Sequence, residues 1–120
     1  CFLPGTLALG VMSGVGTDDD LSMAESLTES CFKMYNSTAS GLGPEIAYFR
    51  QSTNDVISER QRTASDDIYI KSQDAHYLLR PELLESLFYM FRLTRDDRYR
   101  RYAWQVFEAI ERHCKVRGGG

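Results

Sequence analysis

The chain has 120 residues, 42% hydrophobic and 26% charged, with a formal net charge of -3: an ordinary globular composition, long enough for one modest core and without the signature of disorder. Its 17 acidic residues against 14 basic ones, with no basic run, leave no electrostatic footprint for nucleic acid or an anionic membrane surface. No apolar run approaches the roughly 20 residues that cross a bilayer, and the sequence opens at Cys1 without a basic n-region or cleavage-site pattern of its own. The start at Cys-Phe-Leu-Pro and the finish at Val-Arg-Gly-Gly-Gly, with no initiating Met, read as cuts through a longer protein.

In chain order, Leu3 to Gly16 carries Pro4, Gly5, Gly10, Gly14 and Gly16 around Leu7-Ala8-Leu9, so at most a short helix between loops is predicted. Thr17 with Asp20 three residues on forms a capping-box pattern. Leu21, Ala24, Leu27, Cys31 and Met34 then recur at helical spacing, which places Cys31 on a buried face and Asn36 just past the helix end. From Ser37 to Leu79 the helical period disappears. Ile46 to Phe49 and Ile68 to Ile70 are rich in strand formers and predict a small hairpin, flanking a polar stretch from Gln51 to Asp67. An irregular segment this long in a compact domain often carries function.

Pro81 suits a first helical position, and Leu84, Leu87, Phe88 and Phe91 fall at i, i+3, i+4 and i+7. After a turn at Thr94 to Asp96, Tyr99, Ala103, Val106, Phe107, Ile110 and Cys114 mark the core stripe of a second helix, stopped by Gly118 to Gly120. The pair reads as an αα-hairpin. The aromatics Phe88, Tyr89, Phe91, Tyr99, Tyr102, Trp104 and Phe107 follow the same stripes and are expected in the core.

Cys1, Cys31 and Cys114 allow at most one internal bridge, or three reduced apolar thiols, and their spacing fits no zinc site. Asn36-Ser37-Thr38 is an N-glycosylation acceptor, which has meaning only for a lumenal or secreted chain. His76 and His113 show no metal-binding spacing and read as structural residues.

The segment Tyr77 to Ser86 gathers charge at a helix start. Glu82 and Glu85 share one face in or near the first turn, where unpaired N–H groups and the helix dipole favour an ionised carboxylate, hence a base over an acid. Arg80 precedes them with a planar fork for a carboxylate or sugar hydroxyls. Glu45 ends the kinked Gly41-Leu42-Gly43-Pro44-Glu45 run, which can deliver a carboxylate into a cavity. On physics alone, first-turn capping and an exposed turn explain these acidic residues equally well.

Four motifs in register decide differently: Cys1-Phe2-Leu3-Pro4-Gly5-Thr6-Leu7-Ala8-Leu9-Gly10, Cys31 with Met34-Tyr35, Gly41 to Glu45, and Leu79-Arg80-Pro81-Glu82 with Glu85-Ser86-Leu87-Phe88-Tyr89. Together they resemble the class I α-mannosidases, glycoside hydrolase family 47, from Cys1 to Gly119. The resemblance implies a mainly α fold, with residues 1–120 an incomplete segment of one catalytic domain built as an (α/α)7 barrel with a small β-hairpin. It implies inverting, calcium-dependent removal of terminal α-1,2-linked mannose from high-mannose N-glycans on glycoproteins, in the ER or Golgi lumen. Any membrane attachment would be an N-terminal anchor of a type II parent, outside this chain.

By the same motif match Glu82 resembles the general base. Arg80 resembles a substrate-contacting arginine, and Glu85 and Glu45 resemble carboxylates that order calcium's waters or contact mannose hydroxyls. No residue here is expected to ligate Ca²⁺ directly; the general acid and the calcium-ligating threonine are expected outside the segment. The match also implies a Cys1–Cys31 disulfide, with Cys114 free. Two other readings are a mannosidase-like lectin of glycoprotein quality control, which shares Arg-Pro-Glu and Glu-Ser, and a helical interaction module without sugar chemistry.

Overall fold

The computed structural model describes residues 1–49 and 68–118. The predicted polar stretch from Gln51 to Asp67 lies outside the described residues. The chain is mainly helical: α1 (Leu3–Met12), α2 (Asp18–Asn36), α3 (Glu82–Thr94) and α4 (Asp97–His113), with β1 (Tyr48–Phe49) and β2 (Ile68–Tyr69) between the helical pairs. The strands pair antiparallel with Tyr48 opposite Tyr69 and Phe49 opposite Ile68.

α1 is the first departure from the sequence reading, since ten residues are helical straight through Gly5 and Gly10. Its backbone preference is poor, and packing supplies what propensity does not. Pro4, Gly5 and Ala8 form its buried face. A Cβ on Gly5 would lie 2.9 Å from Ser86 Oγ and 3.0 Å from Ser86 Cα, so glycine is there to let α1 and α3 touch backbone to backbone.

That contact is polar at its centre. Ser86 is fully buried. Its Oγ accepts from the Gly5 N–H (2.9 Å) and donates to the Cys1 carbonyl (2.7 Å), satisfying two backbone groups at the entry of α1. A disulfide joins Cys1 to Cys31 of α2, with Cα atoms 5.6 Å apart, while Cys114 is free. Both sulfur assignments implied by the resemblance are present.

α2 begins at the predicted capping box: the Thr17 N–H donates to Asp20 Oδ2 (2.8 Å) and the Asp20 N–H to Thr17 Oγ1 (3.2 Å). The helix runs through Asn36, one residue beyond the expected end, and buries Ala24, Thr28, Cys31, Phe32 and Tyr35. Thr28 is absorbed by returning its hydroxyl to the Ala24 carbonyl (2.7 Å).

α3 and α4 form the predicted αα-hairpin, closed by Arg95 in the left-handed region (φ 62°), whose N–H caps Phe91 O at 2.9 Å. The buried face of α3 is rotated from the expected stripe. Leu83, Ser86, Leu87 and Met90 are inside, whereas Leu84 and Phe91 are half-buried and Phe88 is exposed. Apolar residues cover most of this helix, and the Gly5–Ser86 contact selects which side turns inward. α4 buries Tyr99, Val106 and Ala109 and ends at His113, ahead of the glycines expected to stop it.

Trp104 and Phe107 are exposed, against the core position expected of them; the helices of this segment offer α4 a partner on one side only. Tyr89, Phe91 and Tyr102 pack against the core while remaining partly accessible. Tyr102 stacks on Phe32 of α2 with centroids 3.6 Å apart, and Arg98 reaches Glu29 at 3.0 Å, so α4 leans on α2 as well as on α3. No helix among the described residues is long and apolar enough to cross a membrane.

Two measurements on the intact protein check this corner. Ser86→Ala removes the hydroxyl shared by the Gly5 N–H and the Cys1 carbonyl, leaving the Gly5 N–H its 3.1 Å bond to Phe2 O, and the denaturation midpoint should fall by the equivalent of about 0.5–1.5 kcal/mol. Non-reducing peptide mapping should recover Cys1 linked to Cys31 and Cys114 as a thiol; recovery of a Cys31–Cys114 pair would contradict the fold.

Candidate active site

Two loops and two helix ends converge on a cavity of about 200 Å³ lined by residues that include Tyr35, Gly43, Glu45, Tyr77, Arg80 and Glu82, with Cys1 at its margin. The Glu45 loop descends from α2 through a built turn. Thr38 Oγ1 donates to backbone carbonyls of this turn, lying 3.0 Å from Tyr35 O and 2.7 Å from Leu42 O. Leu42 is buried, and Gly41 takes a left-handed φ of 73°. Beyond Pro44 the Glu45 N–H donates to the Asp74 carbonyl (2.9 Å), so the turn at Ser72–Asp74 holds Glu45 from behind. Asp74 in turn accepts from the Tyr48 hydroxyl (2.8 Å). His76 is exposed, with Nδ1 3.1 Å from Gln73 O, and His113 is exposed at the end of α4.

The second loop carries Arg80. Leu79 sits at φ 54°, a left-handed conformation disfavoured for a branched side chain by roughly 1–2 kcal/mol. This reversal turns Arg80 back toward the Glu45 loop, where Nη1 meets Glu45 Oε1 at 2.7 Å. The guanidinium is 58% exposed, so the pair contributes little stability and leaves donor groups free at the cavity rim. Pro81 then caps α3, and Glu82 is its first residue. Among the described residues Glu82 enters no ion pair.

Three of the four candidate residues therefore share one space: Glu45, Arg80 and Glu82. Glu85 does not join them and is exposed on α3. It stands about 100° around the helix from Ser86, the side chain pinned to α1, whereas Glu82 lies four residues before Ser86 on the same face. Asn36 is exposed at the last position of α2.

Two tyrosines line the cavity that the sequence reading gave no role. Tyr35 is 6% exposed and donates its hydroxyl to the Arg80 carbonyl at 3.0 Å. Burial, then the neighbouring Tyr77 phenol and the Glu82 charge, push its ionisation upward, so the donor keeps its proton. Tyr77 packs edge-on against it, centroids 6.2 Å apart, and burial raises this phenol too; Tyr77 Oη is buried without a hydrogen-bond partner among the described residues. The signal in sequence was the Met34-Tyr35 pair, a large polar-tipped aromatic on the stripe of Cys31.

The described residues do not fit a directly held cation: no three His, Cys, Asp or Glu side chains gather into a ligand set. What the site offers is one carboxylate without a cationic partner, a second carboxylate held by a guanidinium, and aromatic walls, which together suit a polyhydroxylated ligand and a proton-accepting role.

Comparison with known proteins finds relatives named as α-1,2-mannosidases. The chain is 44% identical to the mannosyl-oligosaccharide 1,2-alpha-mannosidase MNS3 of Arabidopsis thaliana, covering 100% of this chain and 22% of that protein. It is 41% identical to the endoplasmic reticulum mannosyl-oligosaccharide 1,2-alpha-mannosidase of Mus musculus, covering 100% and 17%. An alpha-1,2-mannosidase from Trichoderma reesei superposes with a TM-score of 0.71 at 30% identity, over 96% of this chain and 24% of that one. The chain thus spans about a fifth of the length of the curated relatives it matches. The Glycosyl hydrolase family 47 profile matches residues 1–120, the stretch that builds the Gly5–Ser86 contact and the Glu45–Arg80–Glu82 cavity, and the chain belongs to that family.

Proposed function

We propose that the intact protein hydrolyses terminal α-1,2-linked mannose from high-mannose N-glycans with inversion, and that residues 1–120 are a segment of its single catalytic domain. The observation that carries this reading is the convergence of Glu82 with the Glu45–Arg80 pair on one cavity in a family 47 chain. Glu82 takes the proton from a water as its oxygen bonds to the anomeric carbon. On the opposite face of the sugar the glycosidic bond breaks, and the leaving oxygen takes a proton from an acid carried outside this segment. Arg80 and Glu45 hold mannose hydroxyls.

Calcium dependence is part of the same proposal for the whole enzyme, with Glu85 and Glu45 assigned to the ion's waters or to sugar hydroxyls.

The exposed faces of Phe88, Trp104 and Phe107 suit neighbouring helices of an (α/α)7 barrel. Location in the ER or Golgi lumen, with any type II anchor outside this chain, is supported by the Cys1–Cys31 disulfide, by exposed Asn36 in its sequon, and by relatives named as ER enzymes.

In the intact enzyme Glu82→Gln should lower kcat by at least ~100-fold with KM changed little, because glutamine keeps the shape but cannot accept water's proton. A near-normal kcat would remove Glu82 from the base role, and glycan binding by a wild type without turnover would favour the lectin reading. Chelation should abolish activity and Ca²⁺ should restore it where Mg²⁺ does not; activity indifferent to chelator would refute the metal dependence.

A further inference from the structure

Tyr35 lies where the two loops of the cavity meet, and three contacts fix it there. Its hydroxyl holds the Arg80 carbonyl at 3.0 Å. Its ring meets Gly43 so closely that a Cβ on Gly43 would fall 2.6 Å from two ring atoms. Its backbone belongs to the last turn of α2, the helix tied to Cys1 through Cys31.

The Arg80 carbonyl is a sensitive place to hold. It follows Leu79 at φ 54°, a reversal that relaxes unless something over-determines it. It precedes Pro81, whose ring fixes φ and whose nitrogen has no proton, so the orientation of the Arg80–Pro81 peptide passes directly to Glu82 at the start of α3. Tyr35 is also the only one of these contacts whose key atom is dispensable for packing: phenylalanine would fill the same core volume and lose only the oxygen.

We propose that Tyr35 is a positioning residue of this site. Its hydroxyl locks the Arg80–Pro81 peptide and thereby the Arg80 guanidinium and Glu82 carboxylate, while its ring sets the distance to the Glu45 loop through Gly43. It touches no reacting atom. The inference rests on the mannosidase reading above for its kinetic consequence, and on the structure alone for the lock itself.

The test is Tyr35→Phe in the full-length enzyme, read by kinetics and by amide hydrogen exchange. kcat should fall about tenfold with KM within about twofold, the pattern of a misplaced base under intact substrate contacts. The thermal midpoint should drop by no more than about 2–4 °C, the scale of one lost hydrogen bond in a large domain. Exchange should quicken between Leu78 and Glu85 while α1 and the first half of α2 stay as protected as in wild type.

Gly43→Ala, which presses on the ring from the other loop, should lower kcat in wild type and cost less in the Tyr35→Phe background, since displacing the ring pulls away a hydroxyl bond that phenylalanine has already lost. A Tyr35→Phe enzyme with kcat within twofold of wild type and unchanged exchange would overturn the proposal, as would faster exchange spread over all helices. If the wild-type enzyme turned over no α-1,2-mannoside, the proposed reaction would fall, and the exchange measurement would still decide whether Tyr35 holds the peptide.

Discussion

Backbone contact between α1 and α3, made at Gly5 and Ser86, is the constraint on which the rest of this segment depends. Gly5 has no Cβ because the space is occupied by Ser86. Ser86, itself fully buried, satisfies its hydroxyl on the backbone it faces, accepting from the Gly5 N–H and donating to the Cys1 carbonyl. The same Cys1 is bridged to Cys31, so α1, α2 and α3 are tied at one corner by a disulfide and a two-way hydrogen bond. With Ser86 held inward the rotation of α3 about its axis is set, and Glu82 is carried to the cavity side while Glu85 is left in solvent.

The candidate cavity lies one turn away from that corner, on less settled backbone. Leu79 has a left-handed φ, Arg80 is mostly exposed, and the Arg80–Glu45 pair at 2.7 Å is solvated enough to contribute about 0–1 kcal/mol. The pair is better understood as orientation than as stabilisation: each partner fixes the other while keeping oxygen and N–H groups available to a hydroxylated ligand. Strain in the loop is offset by rigid neighbours, namely Pro81, the buried Tyr35 and the Thr38-anchored turn behind Gly43. The packed corner and the candidate cavity thus occupy adjacent turns of the same helix.

The outward apolar faces belong to the same logic. Phe88, Trp104 and Phe107 are exposed while Leu83, Leu87 and Val106 are buried, so α3 and α4 each carry apolar residues on more than one side. A helix hydrophobic on several sides belongs among other helices. The outward aromatics of this segment, which covers about a fifth of its relatives' length, suit further helices packed against it.

Local chemistry determined much of this protein without tertiary help. The Thr17–Asp20 capping box, the helical period through Cys31, the turn at Thr94 to Asp96 and the strand-forming runs around Tyr48 and Ile68 all act over a few residues, and each element stands where that chemistry puts it. Family membership was legible too, because four motifs in register are a pattern no single contact has to explain. Only the tertiary structure decided the rest. α1 is a full helix because α3 rewards Gly5 for what intrinsic propensity counts against it. The inward face of α3 is the one bearing Ser86, whose hydroxyl meets the Gly5 N–H and the Cys1 carbonyl of the neighbouring helix entry. The placement of Tyr35 at the cavity rests in part on a contact distant in sequence, its hydroxyl reaching the Arg80 carbonyl across 45 positions. Periodicity reports how a helix meets an averaged apolar environment; which side meets which neighbour, and which hydroxyl closes which carbonyl, exists only once the helices are packed.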